Sequence, residues 1–188
     1  MSDDTLESVL ESIFDDFDNC FKVSRHPFRS FAFSTIDDKS RPAVRTMILR
    51  HWFAQDKTLI LYTDKRSDKI AHLKKKSLGE LMFYDRERLI QIRCLCDIKM
   101  LDYKTLENKT GLSPDIKDAK VYKTDKPPGT AVKHKKVGFN ENAKEMFCAL
   151  ACFIKEIDWV ALEDNGNKRA KFIFDSSGSM VEQTWLVP

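Results

Sequence analysis

Three short stretches of this chain carry residues that could do chemistry together. The first is Arg45-Thr46-Met47-Ile48-Leu49-Arg50, the second Tyr62-Thr63-Asp64-Lys65-Arg66-Ser67-Asp68-Lys69, and the third Gln91 with Arg93. The second is the most specific. An apolar run ends in Tyr62 and Thr63, and the polar turn after it opens a stretch with helical spacing through Ile70 and Leu73. Backbone N–H groups at such a helix start attract anions. Ser67 adds a hydroxyl, Arg66 and Lys69 add positive charge, and Arg45 on a neighbouring strand could complete a cage. Those donors suit a terminal phosphate carrying about two negative charges. The competing reading is a capped, solvated helix start, with Asp64 or Ser67 as the cap. Arg45-Thr46 and Gln91, polar residues within strand-like stretches, favour the anion site. No Ser–His–Asp or Cys–His arrangement can be argued. His26, His51, His72 and His134 fall in unrelated patterns and read as structural or exposed.

The elements that must position these residues follow from periodicity. Residues 3–21 are an amphipathic helix, with Leu6, Leu10, Ile13, Phe14, Phe17 and Phe21 at three-and-four spacing and acids at its start. His26-Pro27-Phe28 ends it. Strand patterns follow at Ser30–Ile36, Pro42–Phe53 and Thr58–Thr63, with a hairpin turn at Asp37–Ser40. Helical spacing occupies 64–76. Strands return at Gly79–Tyr84 and Leu89–Leu101; along the second, Gln91, Arg93, Asp97 and Lys99 share one face and Cys94, Cys96 and Ile98 the other. Residues 102–140 are a polar insertion, helical over 102–110 and otherwise loop-like, with Pro127-Pro128 inside it. An apolar run at 142–158 and a final hairpin (Arg169–Phe174, Met180–Val187) complete the chain. Six or seven mostly sequential strands joined by hairpin turns imply an antiparallel sheet closed into a barrel.

Composition fits that picture. The chain has 188 residues, 42% hydrophobic and 32% charged, which excludes a disordered or collagen-like polymer and allows a core without staples. No apolar run is long enough to span a bilayer, and the acidic N-terminus is not that of a secretory or transit peptide. The net charge is only +3, but it is uneven: the first 18 residues hold seven acids, residues 65–76 hold six bases, and residues 117–136 hold seven bases with a single Tyr. One aromatic is too few for a nucleic-acid stacking platform, so no nucleic-acid partner is expected. The five cysteines (Cys20, Cys94, Cys96, Cys148, Cys152) lack zinc spacing and read as reduced thiols of a cytoplasmic core. Cys148 and Cys152 would share a face if their stretch were helical.

At these spacings RTMILR (45–50), YTDKRSDKIAHL (62–73) and LIQIR (89–93) resemble the FMN-binding split barrel of the pyridoxamine 5'-phosphate oxidase family, and the closing TWLVP (184–188) is similar to that family's ending. The resemblance implies a mainly β fold, a six-stranded antiparallel Greek-key split barrel with flanking helices, formed as one domain over 1–188. It implies an FMN cofactor at a homodimer interface. Arg45, Thr46, Met47, Ile48, Leu49 and Arg50 would line the flavin and its phosphate, Tyr62 and Thr63 would lie beside it, Arg66, Ser67 and Lys69 would hold the phosphate, and Gln91 would reach the ring. Arg50 or Arg45 would sit near the flavin's pyrimidine edge. The apolar helix face at 6–21 is the expected dimer contact. The family's substrate residues have no match in 102–140, and around Trp159, Arg169 and Lys171 only part of its pattern is present. The implied function is therefore an FMN-dependent oxidoreductase of unspecified small substrate, with a non-enzymatic flavin or haem binder on the same barrel as the alternative.

Overall fold

The computed structural model describes residues 5–115, 122–133, 138–139, 143–164 and 166–188. His134 and most of the basic segment's flanks lie outside the described residues. Eight strands form one antiparallel sheet: β1 (Ser30–Ile36), β2 (Pro42–Phe53), β3 (Thr58–Asp64), β4 (Leu78–Asp85), β5 (Ile90–Leu101), β6 (Phe147–Ala161), β7 (Lys168–Phe174) and β8 (Met180–Leu186). The order is β3-β2-β1-β4-β5-β6-β7-β8, with β3 also paired to β6. That extra pairing closes six strands into a barrel, as the sequence implied.

β6 is what splits it. Its first half, Phe147–Phe153, runs antiparallel to Asp64–Thr58 of β3, and its second half, Glu156–Ala161, leaves β3 for β7. The apolar run at 142–158 is thus mostly strand. Cys148 and Cys152 still share a face, because a spacing of four also satisfies a period of two. α4 (Ala143–Met146) is a single turn before β6. The connection from β3 to β4 carries α2 (Asp68–Lys75) across one end of the barrel, and α3 (Tyr103–Thr110) opens the insertion.

Inside the barrel the alternate residues of each strand meet: Phe33, Leu49, Leu59, Leu61, Leu81, Phe83, Ile92, Cys94, Ile154 and Ile157 are buried together. Gly79 is small for a reason. A Cβ there would come within 2.7 Å of Ile98 and 2.8 Å of Phe33. No described helix is long and apolar enough to cross a membrane.

α1 (Leu6–Asn19) begins at a reciprocal cap, with the Ser8 N–H donating to Thr5 Oγ1 and the Thr5 N–H to Ser8 Oγ. Its apolar face does not wait for a partner subunit. Val9, Ile13 and Phe17 are buried against the barrel, and the Phe17 ring lies 5.2 Å from both Trp52 and Phe83. Asp16, on the same helix, accepts from Arg88 Nη2 with both of its carboxylate oxygens at 2.9 Å. Most of the face expected as a dimer contact is therefore packed on the barrel: Ile13 and Phe17 are buried and Leu6, Leu10 and Phe14 lie against the core, while Phe21 stays exposed.

Candidate functional site: an anion grip at the end of the third strand

β3 alternates between the barrel interior (Leu59, Leu61, Thr63) and an outer apolar cluster (Ile60 and Tyr62 with Phe147). At its end the chain turns sharply: the Ser67 N–H donates to the Asp64 carbonyl, and α2 starts at once. Ser67 occupies the cap position, but its hydroxyl does not cap the helix. It donates instead to the Asp64 carbonyl at 2.7 Å. Lys69, one turn into the same bend, donates Nζ to Thr63 Oγ1 at 3.0 Å and to Ser67 Oγ at 3.1 Å. An ammonium has three donors, so one N–H is left for a ligand.

Arg45 approaches from β2. It pairs across the sheet with Phe33, so its side chain shares that residue's side of the strand. Its Nη1 reaches Thr35 Oγ1 at 2.8 Å and the Phe33 carbonyl at 3.3 Å. Thr35 is almost wholly buried and touches His72 Nδ1 of α2 at 3.0 Å. Arg45 can only donate, so the Thr35 oxygen accepts from it and links the guanidinium to the His72 ring. Thr35 and His72 were missed in the sequence; His72 lies one turn beyond Lys69, and that spacing was the available signal.

The electrostatics of this corner are unusual. Burial first, and then the Arg45 guanidinium, holds Lys69 below the ordinary lysine value, with Asp64 and Asp68 pulling the other way. Burial likewise lowers Arg45, against the pull of Asp68. No described carboxylate lies within ion-pair distance of either group; Asp64 is paired with Arg66 at 2.7 Å instead. Two partly buried cations without a paired anion are costly unless a negative group joins them. Lys69, though not Arg45, lines a cavity of about 430 Å³, with Tyr62, Thr63 and Asp64 beside it and Thr124, Lys126 and Thr130 contributed by the insertion. That volume falls within the roughly 300–1,000 Å³ of small-molecule sites.

The remaining candidates divide by strand face. Thr46 and Ile48 are exposed on the outer side of β2, while Met47 and Leu49 turn inward to the core. Arg50 sits at a bulge between Leu49 and His51, its guanidinium 5.5 Å from the Tyr62 ring centre. Gln91 is half-buried rather than buried, and it lies apart from the Lys69 cavity. It lines a groove of about 540 Å³ with Ser34, Val44, Glu80, Arg93 and Arg169. In that groove burial would raise Asp158, but hydrogen bonds from Arg169 and Arg93 outweigh it and hold the carboxyl below its usual value. Trp159 is buried in the core, and Lys171 pairs with Glu156 at 3.1 Å.

The family match covers the part of the chain that builds the grip. Residues 11–102, from within α1 to the end of β5, match the FMN-binding domain of pyridoxamine 5'-phosphate oxidase. Over those residues the chain is similar to the pyridoxamine 5'-phosphate oxidase FMN-binding domain. Solved structures agree on the fold. A pyridoxamine 5'-phosphate oxidase-related, FMN-binding protein from Nostoc punctiforme superposes with a TM-score of 0.74 at 16% identity, covering 95% of this chain and 96% of that one. PhzG from Burkholderia lata, in complex with tetrahydrophenazine-1-carboxylic acid, gives 0.70 at 14% identity over 100% and 95%. A Clostridium acetobutylicum protein related to general stress protein 26 gives 0.56 at 14% identity over 88% and 95%. No curated protein sequence matches the chain.

Proposed function

We propose that this split-barrel protein binds FMN, with the phosphate held by Arg45, Thr63, Ser67 and Lys69, and that it acts as an FMN-dependent oxidoreductase on a small substrate. One observation supports the reading above the others: Lys69, partly buried, close enough to Arg45 to be repelled by it and without a paired carboxylate, lines a cavity. The residues fit the cofactor's phosphate. They supply an ammonium, a guanidinium and a buried hydroxyl, and the family whose model matches is FMN-binding.

In this reading Lys69 and Arg45 neutralise the phosphate. The outer edge of β2 at Thr46 and Ile48 makes the bed for the ring system, with Tyr62 and Arg50 flanking it. When bound, FMN supplies the redox chemistry; the protein holds it and shapes what can approach. Gln91 faces a different groove of the same subunit, so its expected approach to the ring requires a second copy of the chain. Exposed Val44 and Ile48 on β2, with Val181 and Trp185 on β8, are apolar surface that such a homodimer could cover.

The reading predicts that protein purified from cells is yellow. An Arg45→Ala, Lys69→Ala double variant should lose a few kcal/mol of phosphate binding, about 10²-fold or more in affinity, and come out colourless. Retention of flavin by a folded double variant would overturn the assignment. Turnover of the flavin-loaded protein with reduced nicotinamides or amines separates an oxidoreductase from a carrier.

A further inference from the structure

Arg66, expected at the phosphate, has its guanidinium committed elsewhere. Its Nε and Nη2 donate to the two carboxylate oxygens of Asp64 at 3.0 and 2.7 Å, and its backbone N–H donates to the same carboxylate at 2.8 Å. Asp64 is buried, so this pair fixes the guanidinium's direction. That direction is toward the insertion. Arg66 Nη2 donates to the Thr124 carbonyl at 2.9 Å and to Thr124 Oγ1 at 3.3 Å.

Thr124 passes the constraint on. Its hydroxyl donates to the Lys126 carbonyl at 2.9 Å, and it is bridged to Phe139. After Lys126 come Pro127 and Pro128, whose φ angles are fixed by their rings. The turn closes as Thr130 donates both its N–H and its hydroxyl to the Pro127 carbonyl, at 3.2 and 2.8 Å. Gly129 takes φ +87°, which L side chains rarely adopt, and a Cβ placed there would lie 3.9 Å from the Asp68 carboxylate. The segment therefore starts at Arg66 and comes down at the head of α2, straddling the bend that carries Ser67 and Lys69. Lys126, Gly129 and Thr130 form the outer wall of the cavity whose inner wall is Tyr62, Thr63 and Lys69.

We propose that Arg66 is a positioning residue: it fastens the Tyr122–Val132 segment across the cavity mouth, and the fastened segment retains bound FMN. This rests on the FMN reading of the grip. Arg66 stands in the turn before α2, two residues ahead of Asp68. From there it reaches outward to Thr124 instead of inward to the anion.

The test uses the full chain, FMN and two variants. Arg66→Lys keeps a cation beside Asp64 but not the reach to Thr124; Thr124→Ala removes the hydroxyl that ties the turn. Losing a charge-assisted hydrogen bond should speed FMN release by about tenfold in each. Without ligand, both should be cut faster than wild type by trypsin after Lys123 or Lys133, which flank the turn. Lys69→Ala should weaken FMN binding while leaving that ligand-free cleavage unchanged. If wild type binds FMN but both variants release it and are cut at wild-type rates, the fastening role is wrong and the FMN reading stands. If wild type binds no FMN, the FMN reading falls and retention falls with it, whatever the cleavage rates.

Discussion

Lys69 is charged in a place where charge is expensive. Two hydroxyl oxygens accept its protons, yet Arg45 repels it, and Asp64 and Asp68 offset that repulsion only from beyond ion-pair distance. Its folded pKa lies below the ordinary lysine value, so the ligand-free protein binds that proton less tightly than the unfolded chain does. The penalty is present at neutral pH and is relieved as pH rises through the lowered value. A bound phosphate reverses the balance by favouring the ammonium. FMN should therefore protect against thermal unfolding most strongly near neutrality, and the protection should fade on the alkaline side before ordinary lysines titrate. Melting curves with and without FMN across that range check this, and the fade should vanish in Lys69→Met. Protection that stays constant up to strongly alkaline pH would show that Lys69 does not face the phosphate. Lys69, Ser67 and Thr63 were legible because one bend holds all three. Thr35 was not, since its role depends on Arg45 and His72 arriving from β2 and α2.

At the scale of elements, α1 is the clearest correction. Its stripe of Leu6, Leu10, Ile13, Phe14, Phe17 and Phe21 reads as an interface from sequence, because periodicity shows that a face is apolar but not what it meets. Here it meets Trp52, Phe28 and Phe83 across the barrel mouth. Phe17→Ala should cost about 3–5 kcal/mol of stability, as truncation of a fully buried aromatic does. Denaturant titration measures it; a loss under about 1 kcal/mol would mean the helix is only loosely docked. The strands were far more legible. β1 and β2 have the boundaries their alternation indicates, with the Asp37 carboxylate tying the hairpin through the Lys39 and Arg41 N–H groups. β6 was the ambiguous element, because a strand buried on both faces is apolar throughout and loses the alternation that marks it. The wall formed by Thr124, Lys126 and Thr130 was illegible, since it depends on one contact between residues 58 apart in sequence.

On the scale of the whole molecule, the barrel leaves two chemical surfaces on different sides. The grip and its cavity occupy one end, and the groove of Gln91, Arg93 and Asp158 lies on the outer sheet. A homodimer that brings one subunit's groove to the other's β2 would unite them. With most of the apolar face of α1 packed on the core, the surface available for that contact is the exposed apolar set on β2 and β8. The full-length protein should sediment as a dimer at micromolar concentration, and Val44→Glu with Ile48→Glu should dissociate it and weaken FMN binding together. Dissociation with undiminished FMN binding would place the whole flavin site within one chain.

The phosphate grip is tested most directly by comparing FMN with riboflavin, which differ only in that phosphate. Fluorescence titration of the flavin-free protein should show tight binding of FMN and at least about a hundredfold weaker binding of riboflavin, a difference that collapses in Lys69→Ala. Equal affinities for the two flavins in the wild-type protein would contradict the account at its root.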